Sequence, residues 1–478
     1  MMHRTKYIIP FIYEQKNFNT AIETIEKTKK VKGFKINKKS FDLNKGDILS
    51  SVQNSFNDSD FNIGSKYQID RNYLKKISIK TKDETVYHFE EMSLFVFRTG
   101  IGFISYELSS SFNSAKELID FNYKFKEICE TKYSVKIKSK EVNKDATSDK
   151  QFNETEINFD SLGRFITYLL KIIFEDINIS FFNQRRADDS YQPDKALLFN
   201  GAIFEENEEN DKFFEHIYHL TNGYKDSYLM PDSFNNEIKE IFKNTYIYAT
   251  SSGFGYYAIK NEKNAKFYES GFLEGRIDQY LLFYIIVLFQ YYSILNYSMK
   301  MSSILKSDST KYISGNNSID EEDELETRIN LFLAKGIFPI VSTIEHHNVT
   351  YTYLFNKFSI QKQIDYLMIG FGSLKTISLK HKEEIEILED NVREDLINIS
   401  MAILSALLSL SFVNELPVLI TKIVQVFYQS FEMTDLCGNI ITFAATVLIV
   451  SFIAWIYIPK VCQYRENKKI LKELKTRK

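Results

Sequence analysis

The two stretches that decide the fold are LINISMAILSALLSLSFV (residues 396–413) and GNIITFAATVLIVSFIAWIYI (residues 438–458), and neither contains a charged side chain. At about 1.5 Å of rise per helical residue, each stretch is long enough to cross a hydrocarbon core of about 30 Å. A lone open strand cannot satisfy its backbone in lipid, so the stretches predict two transmembrane helices that form a hairpin. The alternative is a pair of buried helices in a soluble protein.

Charged residues are distributed unevenly around the hairpin. The connecting loop 414–437 contains Lys422 and three acidic residues, whereas the tail 460–478 contains two acidic residues and a larger basic set. The basic residues of the tail are Lys460, Arg465, Lys468, Lys469, Lys472, Lys475, Arg477 and Lys478. The positive-inside rule places the tail in the cytoplasm and the loop outside. We therefore expect a multi-pass protein of the cell inner membrane with both termini in the cytoplasm.

A third apolar run, LLFYIIVLF at residues 281–289, is shorter than a membrane span. Its length suits a helix in the core of a folded domain. A third crossing would also place residues 1–279 outside the cell, although the N-terminal segment lacks the long apolar region of a signal peptide. We therefore assign this run to the core.

The composition of the whole chain excludes two classes of protein. Its 478 residues contain 60 Lys and Arg against 63 Asp and Glu, which gives a net charge of −3. This balance argues against a domain-wide basic surface, so no direct nucleic-acid binding is expected. The three cysteines, Cys129, Cys437 and Cys462, are too few and too scattered for a disulfide framework or a four-thiolate zinc site.

Residues 1–265 favour strands and predict an α/β domain. Thr99 and Gly100 separate two β-rich runs, and glycine can adopt the positive φ of a tight turn, so a β-hairpin is predicted over 93–108. Other predicted elements are a strand at 6–13, a hairpin at 246–260, and helices at 114–131 and 160–177. The polar segment 141–158 has few core-forming residues and is predicted to be a loop or linker.

Beyond residue 265 the pattern becomes helical. We predict a helix at 278–301, a charged loop at 306–324 and a further helix from residue 326. From Ser359 a helical pattern continues into the first span without a proline. The predicted fold class is α+β, with four parts: an α/β ligand-sensing cytoplasmic domain (1–265), a helical region with a stalk helix (266–395), a transmembrane hairpin (396–459) and a basic cytoplasmic tail (460–478).

Catalytic motifs are missing from the sequence. It contains no G-x-x-x-x-G-K-[ST], G-x-G-x-x-G or G-x-S-x-G pattern, which removes the usual scaffolds for nucleotide hydrolysis and serine acyl transfer. His216 with His219, and His346 with His347, have spacings that can bind metal, but histidines of the core or surface are the commoner explanation. No enzyme and no covalently bound cofactor are expected.

A double arginine within SFFNQRRADDSYQPDK is the sharpest candidate for ligand binding. Arg185 and Arg186 can hold a phosphate or carboxylate in bidentate fashion, and Asp188 and Asp189 can accept from a ribose hydroxyl or an ammonium group. Phe181 and Phe182, which come just before, could stack a base. The alternative is a salt-bridged turn on the surface.

A second candidate is the segment ESGFLEGRID, at residues 269–278. It places Arg276 and Asp278 at the start of the apolar helix, where they could form a second wall of a ligand pocket. The alternative is an ordinary salt bridge at a helix start.

The first span carries a thin polar stripe. Asn398, Ser405 and Ser409 are separated by seven and four residues, which places them along one face of a helix. Such a stripe suits a water-filled pore or a contact between helices through small residues. Asn414 and Glu415 would then lie at the outer mouth and favour cations. One hairpin cannot enclose a pore, so conduction requires several copies of the chain.

The overall pattern resembles the CorA-type divalent-cation channels. The resemblance consists of an N-terminal α/β domain, a long helix that enters the first of two C-terminal spans, and a basic tail. It implies a homo-oligomer, a pentamer, with a divalent cation as the permeant ion. The Gly-Met-Asn motif of that family is absent, and Asn414 within SFVNELPVL is the comparable residue.

The N-terminal half is similar to one divergent branch, the CorA-like membrane effectors associated with type III CRISPR systems. The similar segments are KYIIPFIYE, LFVFRTGIGFISYEL, the pair Arg185 and Arg186, and GRIDQYLLFYIIVLFQYYSIL. The resemblance implies a channel of antiviral defence that is opened or remodelled when it binds a nucleotide second messenger such as SAM-AMP. A magnesium or cobalt transporter of the CorA type and a non-conducting membrane-anchored sensor are the alternatives.

Overall fold

The computed structural model describes residues 1–476 except 15–17, 28–35, 42–47, 58–61, 113, 132, 143–151, 176, 188–189, 207–211, 312–317 and 428–434. The strands are β1 (Met2–Tyr13), β2 (Ile36–Lys39), β3 (Gly64–Ile69), β4 (Ile77–Thr81), β5 (Val86–Phe97), β6 (Ile101–Leu108), β7 (Tyr133–Val142), β8 (Phe152–Phe159), β9 (Ile179–Phe181), β10 (Gln184–Ala187), β11 (Ser190–Pro193), β12 (Leu197–Glu205), β13 (Lys239–Phe242), β14 (Thr245–Thr250) and β15 (Gly253–Lys260). The α-helices are α1 (Phe18–Lys27), α2 (Ser50–Asn57), α3 (Arg71–Leu74), α4 (Ala115–Lys126), α5 (Leu162–Phe174), α6 (Phe213–Asn222), α7 (Ala265–Glu269), α8 (Ile277–Lys311), α9 (Ser318–Gly336), α10 (Glu345–Lys357), α11 (Ile360–Phe427) and α12 (Asp435–Thr476).

One large sheet organises the first part of the chain. Its strands follow the order β13-β14-β15-β12-β1-β6-β5-β4-β7-β8, and β2, β3 and β9 pair off this path. Strands β12 and β15 are parallel, whereas β1 pairs antiparallel with both of its main neighbours, β12 and β6. The predicted α+β class is therefore confirmed as a mixed fold with a large sheet.

Strand β1 is buried because helices cover both faces of the sheet. Tyr7, Ile9 and Phe11 point into a core that also contains side chains of α4 and α5. On the opposite face, Phe97 of β5 stacks on Phe289 of α8, with ring centroids 4.5 Å apart. A sheet covered on both sides needs nearly continuous apolar strands, which is the pattern of KYIIPFIY.

The predicted hairpin over 93–108 is confirmed as the antiparallel pair β5 and β6. Gly100 in its turn has φ of 85°, a conformation that glycine adopts without a steric penalty. Gly102 is covered by the ring of Phe11 on β1: a Cβ atom at position 102 would lie 2.1 Å from Phe11 Cζ. Glycine at this position therefore allows the aromatic ring to pack flat against the neighbouring strand.

The predicted helices of the sheet domain are confirmed, with shorter bounds. The side chain of Ser114 accepts a hydrogen bond from the backbone N–H of Glu117 and caps α4. Ser161 caps α5 in the same way, through the N–H of Arg164. A serine cap satisfies one of the free donors at a helix start, which explains why both helices begin where they do.

Three predicted loops are wrong in part. Within 141–158 the described residues 141–142 and 152–158 belong to the paired strands β7 and β8, because a backbone ladder tolerates polar side chains. The segment 306–324 lies largely in α8 and α9, whose Glu, Lys and Leu residues are good helix formers. The predicted connecting loop 414–437 is helical up to Phe427 and again from Asp435, since apolar helix formers follow Pro417.

Two helices among the described residues have the length and apolar composition that a membrane crossing requires. They are Phe272–Ile304 and Leu436–Lys472. In the first helix 83% of the apolar window is buried, which confirms that the run 281–289 belongs to the core. In the second helix none of the window is buried.

The chain divides into two compact units. The first comprises Met1–Met299 and Thr327–Met368, and the second comprises Lys300–Glu326 and Ile369–Lys478. All the strands listed above belong to the first unit. The second unit contains the larger part of α11 and all of α12. The first predicted span lies within α11, where Leu404, Leu408 and Phe412 are exposed.

Candidate functional site

A pocket of about 400 Å³ lies between one face of the sheet and the first turns of α8. We call it the charged pocket, after its ionisable lining residues: Lys6, Lys66, Glu91, Arg276 and Asp278. Arg276 and Asp278 are two of the ligand-binding residues predicted from the sequence. The structure brings them together with three charged residues of β1, β3 and β5.

Two glycines position the start of α8 against the sheet. Gly271 has φ of 81° and precedes a π-helical turn, Phe272–Arg276, that leads directly into α8. Gly201 on β12 lies beneath this turn, and a Cβ atom there would be 2.0 Å from Ile277 Cδ1. Because position 201 has no side chain, the first turn of α8 can pack directly on the sheet. This packing brings Asp278 close to β1.

Arg4 of β1 is the centre of an ion-pair network beside the pocket. Its Nε lies 2.9 Å from Glu107 Oε2, its Nη2 lies 3.1 Å from Glu91 Oε2, and its Nη1 lies 3.1 Å from Asp278 Oδ1. Nη1 also donates to the backbone carbonyl of Leu273 at 2.9 Å, in the π-helical turn. One guanidinium therefore connects β1, β5 and β6 to the start of α8.

Lys6 extends this network into the pocket. Its Nζ lies 2.9 Å from Glu91 Oε2 and 3.6 Å from Asp278 Oδ1. Burial acts to raise the pKa of Glu91, but Lys6 and Arg4 outweigh it and hold that pKa at about 2. For Glu107 burial dominates and raises the pKa, although Arg4 and Lys6 oppose it. Glu91 is therefore a fixed negative charge at neutral pH.

Two further cations of the pocket lie over aromatic rings. The guanidinium carbon of Arg276 is 5.1 Å from the ring centroid of Phe267, and Lys66 Nζ is 5.8 Å from that of Phe95. These contacts orient both cations while leaving their donors available. Arg276 and Lys66 can bind a phosphate or carboxylate, and Asp278, whose side chain is 44% exposed, can accept from an ammonium group or a hydroxyl.

The predicted arginine pair lies elsewhere. Arg185 and Arg186 are exposed on β10, which forms a separate two-stranded ribbon with β11. Arg185 Nη1 lies 3.5 Å from the sulfur of Cys129, whose thiol donates to Asp194 Oδ1 at 2.9 Å. Neither arginine lines the charged pocket. The predicted partners Asp188 and Asp189 lie outside the described residues.

Phe181 and Phe182, which were predicted to stack a base beside the arginine pair, lie in different environments. Phe181 is buried in the core of the sheet, so the prediction that it stacks a base is wrong. Phe182 packs against Tyr292 of α8, with ring centroids 4.5 Å apart. The arginines remain a cationic patch on an exposed ribbon.

The paired histidines form no cluster of three potential ligands. Within the described part of the chain, no group of three His, Cys, Asp or Glu side chains could hold a metal ion. His219 is buried on α6, with Nε2 3.7 Å from Glu215 Oε1. His347 is buried on α10, with Nδ1 3.3 Å from Ser342 Oγ.

The predicted pore-lining residues all lie on α11. The hydroxyl of Ser409 donates to the backbone carbonyl of Ser405 at 2.8 Å, which satisfies it within its own helix. Asn398 is partly exposed, and Ser405 and Glu415 are exposed. Asn414 and Glu415 lie inside the helix rather than in a connecting loop, which corrects their predicted setting.

Sequence reasoning missed the part of the site that the sheet contributes. Arg4 and Lys6 are two residues apart in the apolar strand β1 and therefore lie on the same face of the sheet. Two charged residues at this spacing in an apolar strand are the signal that could have identified them. Lys66 and Glu91 have no such signal. Comparison with protein-family models, with curated proteins and with solved structures finds no match for this chain.

Proposed function

We propose that this protein is a ligand-gated membrane effector. In this proposal an oligomer of the chain, a pentamer as in CorA channels, forms a channel in the inner membrane with both termini in the cytoplasm. A nucleotide second messenger of the SAM-AMP type binds in the charged pocket and opens the channel, as a step in type III CRISPR defence. The class of messenger and the pentamer come from the resemblance described above.

The observation that carries the proposal is the exposed apolar surface of α12. Leu448, Phe452 and Trp455 are 71%, 61% and 76% exposed, in a helix whose apolar window has no buried residue. A soluble protein rarely exposes so large an apolar surface, and a bilayer or neighbouring copies would cover it. The basic residues after residue 459 favour a cytoplasmic end for this helix.

The charged pocket supports a ligand that carries charges of both signs. Arg276 and Lys66 offer donors to a phosphodiester or carboxylate, and Asp278 offers an acceptor to the ammonium of a methionine-like group. Such a ligand can gate a channel only if it binds one conformation more tightly than the other. A hundredfold preference is worth about 2.7 kcal/mol per site, and several sites acting together would shift the equilibrium further.

The test combines ligand binding with current recording on the full chain in lipid nanodiscs and planar bilayers. We expect SAM-AMP to bind and to increase conductance, and Arg276→Ala with Asp278→Asn to weaken its binding at least tenfold. The pair Arg185→Ala and Arg186→Ala tests the other predicted site. Binding that depends on the arginine pair alone would refute the assignment to the charged pocket.

Two outcomes would replace the proposal with an alternative. Growth of a transport-deficient host on low magnesium or cobalt, without any messenger, would identify a cation transporter of the CorA type. Messenger binding without current at any ligand concentration would identify a non-conducting membrane-anchored sensor.

A further inference from the structure

A second pocket, of about 250 Å³, shares no lining residue with the charged pocket. Its walls come from the start of α1, the turn between β5 and β6, the middle of α8 and the C-terminal half of α9. We call it the aromatic pocket, after its four ring-bearing residues: Phe18, Phe289, Tyr297 and Phe332. It also contains two cations, Arg98 and Arg328.

The aromatic walls are held in place by one another. Phe289 is stacked on Phe97 of the sheet at 4.5 Å, and Phe332 lies edge-on to Phe289 at 5.7 Å and tilted against Tyr297 at 5.6 Å. A Cβ atom at Gly336 would lie 2.8 Å from Phe332 Cδ2, so the glycine preserves this arrangement. A flat ligand would therefore meet rings that are already ordered, which lowers the cost of binding.

Arg98 is held in place as firmly as the rings. Its Nε donates to the carbonyl of Asn62 at 3.1 Å, and its guanidinium carbon lies 4.7 Å from the centroid of Phe18. The turn that carries Arg98 is fixed to α8, because Asn296 donates to the carbonyl of Thr99 at 3.0 Å. These contacts fix the plane of the Arg98 guanidinium at the pocket wall, and a planar guanidinium is the group that best recognises a carboxylate.

The uncharged polar side chains of the pocket are few. They are Asn19, Thr99 and Tyr297. The Thr99 hydroxyl shares a hydrogen bond of 2.8 Å with Ser293, and the Tyr297 hydroxyl donates to the backbone carbonyl of Arg328 at 3.4 Å. No acidic residue is among the described lining residues. Four rings and two cations suit a flat ring with one anionic group better than a sugar with several hydroxyls.

We propose that the aromatic pocket binds a small aromatic acid, with the ring among Phe289, Phe332 and Phe18 and the carboxylate on Arg98 and Arg328. This site is independent of the charged pocket and of the membrane proposal. A second ligand of this kind would make the sheet unit a receptor for two chemically different compounds.

The test measures binding of benzoate, indole-3-acetate and naphthalene-2-carboxylate to the full chain by calorimetry. At least one acid should bind with a Kd below 1 mM, and indole-3-ethanol, which lacks the carboxylate, should bind at least tenfold more weakly than indole-3-acetate. No binding of any of the three acids at 10 mM would overturn the proposal, and so would equal affinity for the alcohol.

Variants locate the site. Arg328 is half-buried on α9, and Arg328→Ala should weaken acid binding at least tenfold while the circular dichroism spectrum of the variant stays that of the parent protein. Arg98→Lys keeps the charge but loses the planar fork, and it should weaken binding similarly. Arg276→Ala in the charged pocket is the matched control and should leave acid binding unchanged. A loss caused by Arg276→Ala alone, or tighter binding of AMP than of every acid, would refute the assignment.

Discussion

Arg4 and Asp278 form an ion pair of 3.1 Å across 274 positions of the chain, between the first strand and the first turn of α8. The same guanidinium also pairs with Glu91 and Glu107, so the pair is one edge of a network rather than an isolated contact. The network defines one end of the charged pocket. Its members should therefore affect both stability and the proposed ligand binding, and substitutions can separate the two effects.

Replacing Arg4 should be costly, and replacing Asp278 should not. Arg4→Met leaves Glu91 and Glu107 without their guanidinium, and removing one partner of a largely buried pair costs about 3 kcal/mol. Asp278→Asn should cost less than about 1 kcal/mol, because the carboxylate is 44% exposed and screened by water. Melting of the full chain in detergent measures both effects. Equal losses of stability in Arg4→Met and Asp278→Asn would show that the network is not centred on Arg4.

Packing beneath α8 predicts a pair of compensating substitutions. Gly201→Ala forces a methyl group against Ile277 Cδ1 and should destabilise the sheet unit by about 1–3 kcal/mol. The displaced turn should also weaken ligand binding in the charged pocket. Adding Ile277→Val removes the obstructing carbon and should restore part of both losses. If the double variant loses more stability than the two single variants lose together, close packing at Gly201 does not position this turn.

Lys126 predicts an unusual dependence of stability on alkaline pH. Burial, followed by the charge of Lys195, lowers the pKa of Lys126 from 10.5 to about 8. Between these values the folded protein has released a proton that the unfolded chain still binds, so stability should rise with pH. The gain from Lys126 between pH 8 and 9.5 is about 2 kcal/mol at most.

The matched variant is Lys126→Met, which removes the titration. The rise of melting temperature between pH 8 and 9.5 should be smaller in this variant than in the parent protein. The variant also loses the hydrogen bond of 2.6 Å from Nζ to the carbonyl of Asn222, so the comparison uses the pH slope rather than the absolute stability. Parallel slopes in the two proteins would contradict the prediction.

The proposed insertion of α12 into a bilayer predicts that the effect of an added charge depends on its position in the helix. Leu448 lies at the centre of the stretch 438–458, and Leu448→Arg should oppose insertion by about 2.5–3.5 kcal/mol. Ile470 is an exposed apolar residue of the same helix beyond that stretch, so Ile470→Arg is the control. Carbonate extraction of membranes should release the first variant and retain the second. Equal retention would argue against a span centred on Leu448.

The polar stripe of α11 predicts a change in conductance. Ser405→Leu and Ser409→Leu replace hydroxyls by bulky apolar groups, and currents should fall by at least half if these residues line the proposed pore. Oligomer size should not change. Leu408→Ala, on a neighbouring face, is the control for general disturbance of the helix. Normal currents in both serine variants would place the pore on another surface.

Local signals in the sequence predicted the elements that depend on a few neighbouring residues. Gly100 identifies the turn between β5 and β6, and the short apolar run at 281–289 identifies a core helix. The loop predictions for 141–158 and 306–324 are wrong for the described residues of both segments, because polar side chains indicate exposure and not the absence of regular structure. A strand pair or a charged helix can form where few side chains are buried.

The site was predictable only where it lies at a helix start. Arg276 and Asp278 stand out beside the apolar run of α8, whereas Glu91 and Lys66 join them through the pairing of strands distant in sequence. Single-sequence patterns do not contain that pairing. Two adjacent arginines are easy to recognise in a sequence, and they were predicted to bind the ligand. Their ribbon, however, contributes no residue to the charged pocket.

The central position of β1 governs how the nascent chain can fold as it leaves the ribosome. Met2 pairs with Ile203, and Phe11 pairs with Gly102, so β1 is synthesised well before the strands with which it pairs. During that interval a long apolar strand has unpaired edges, which invites aggregation. Expression in cells should therefore depend on a chaperone that shields β1 until β12 has been translated.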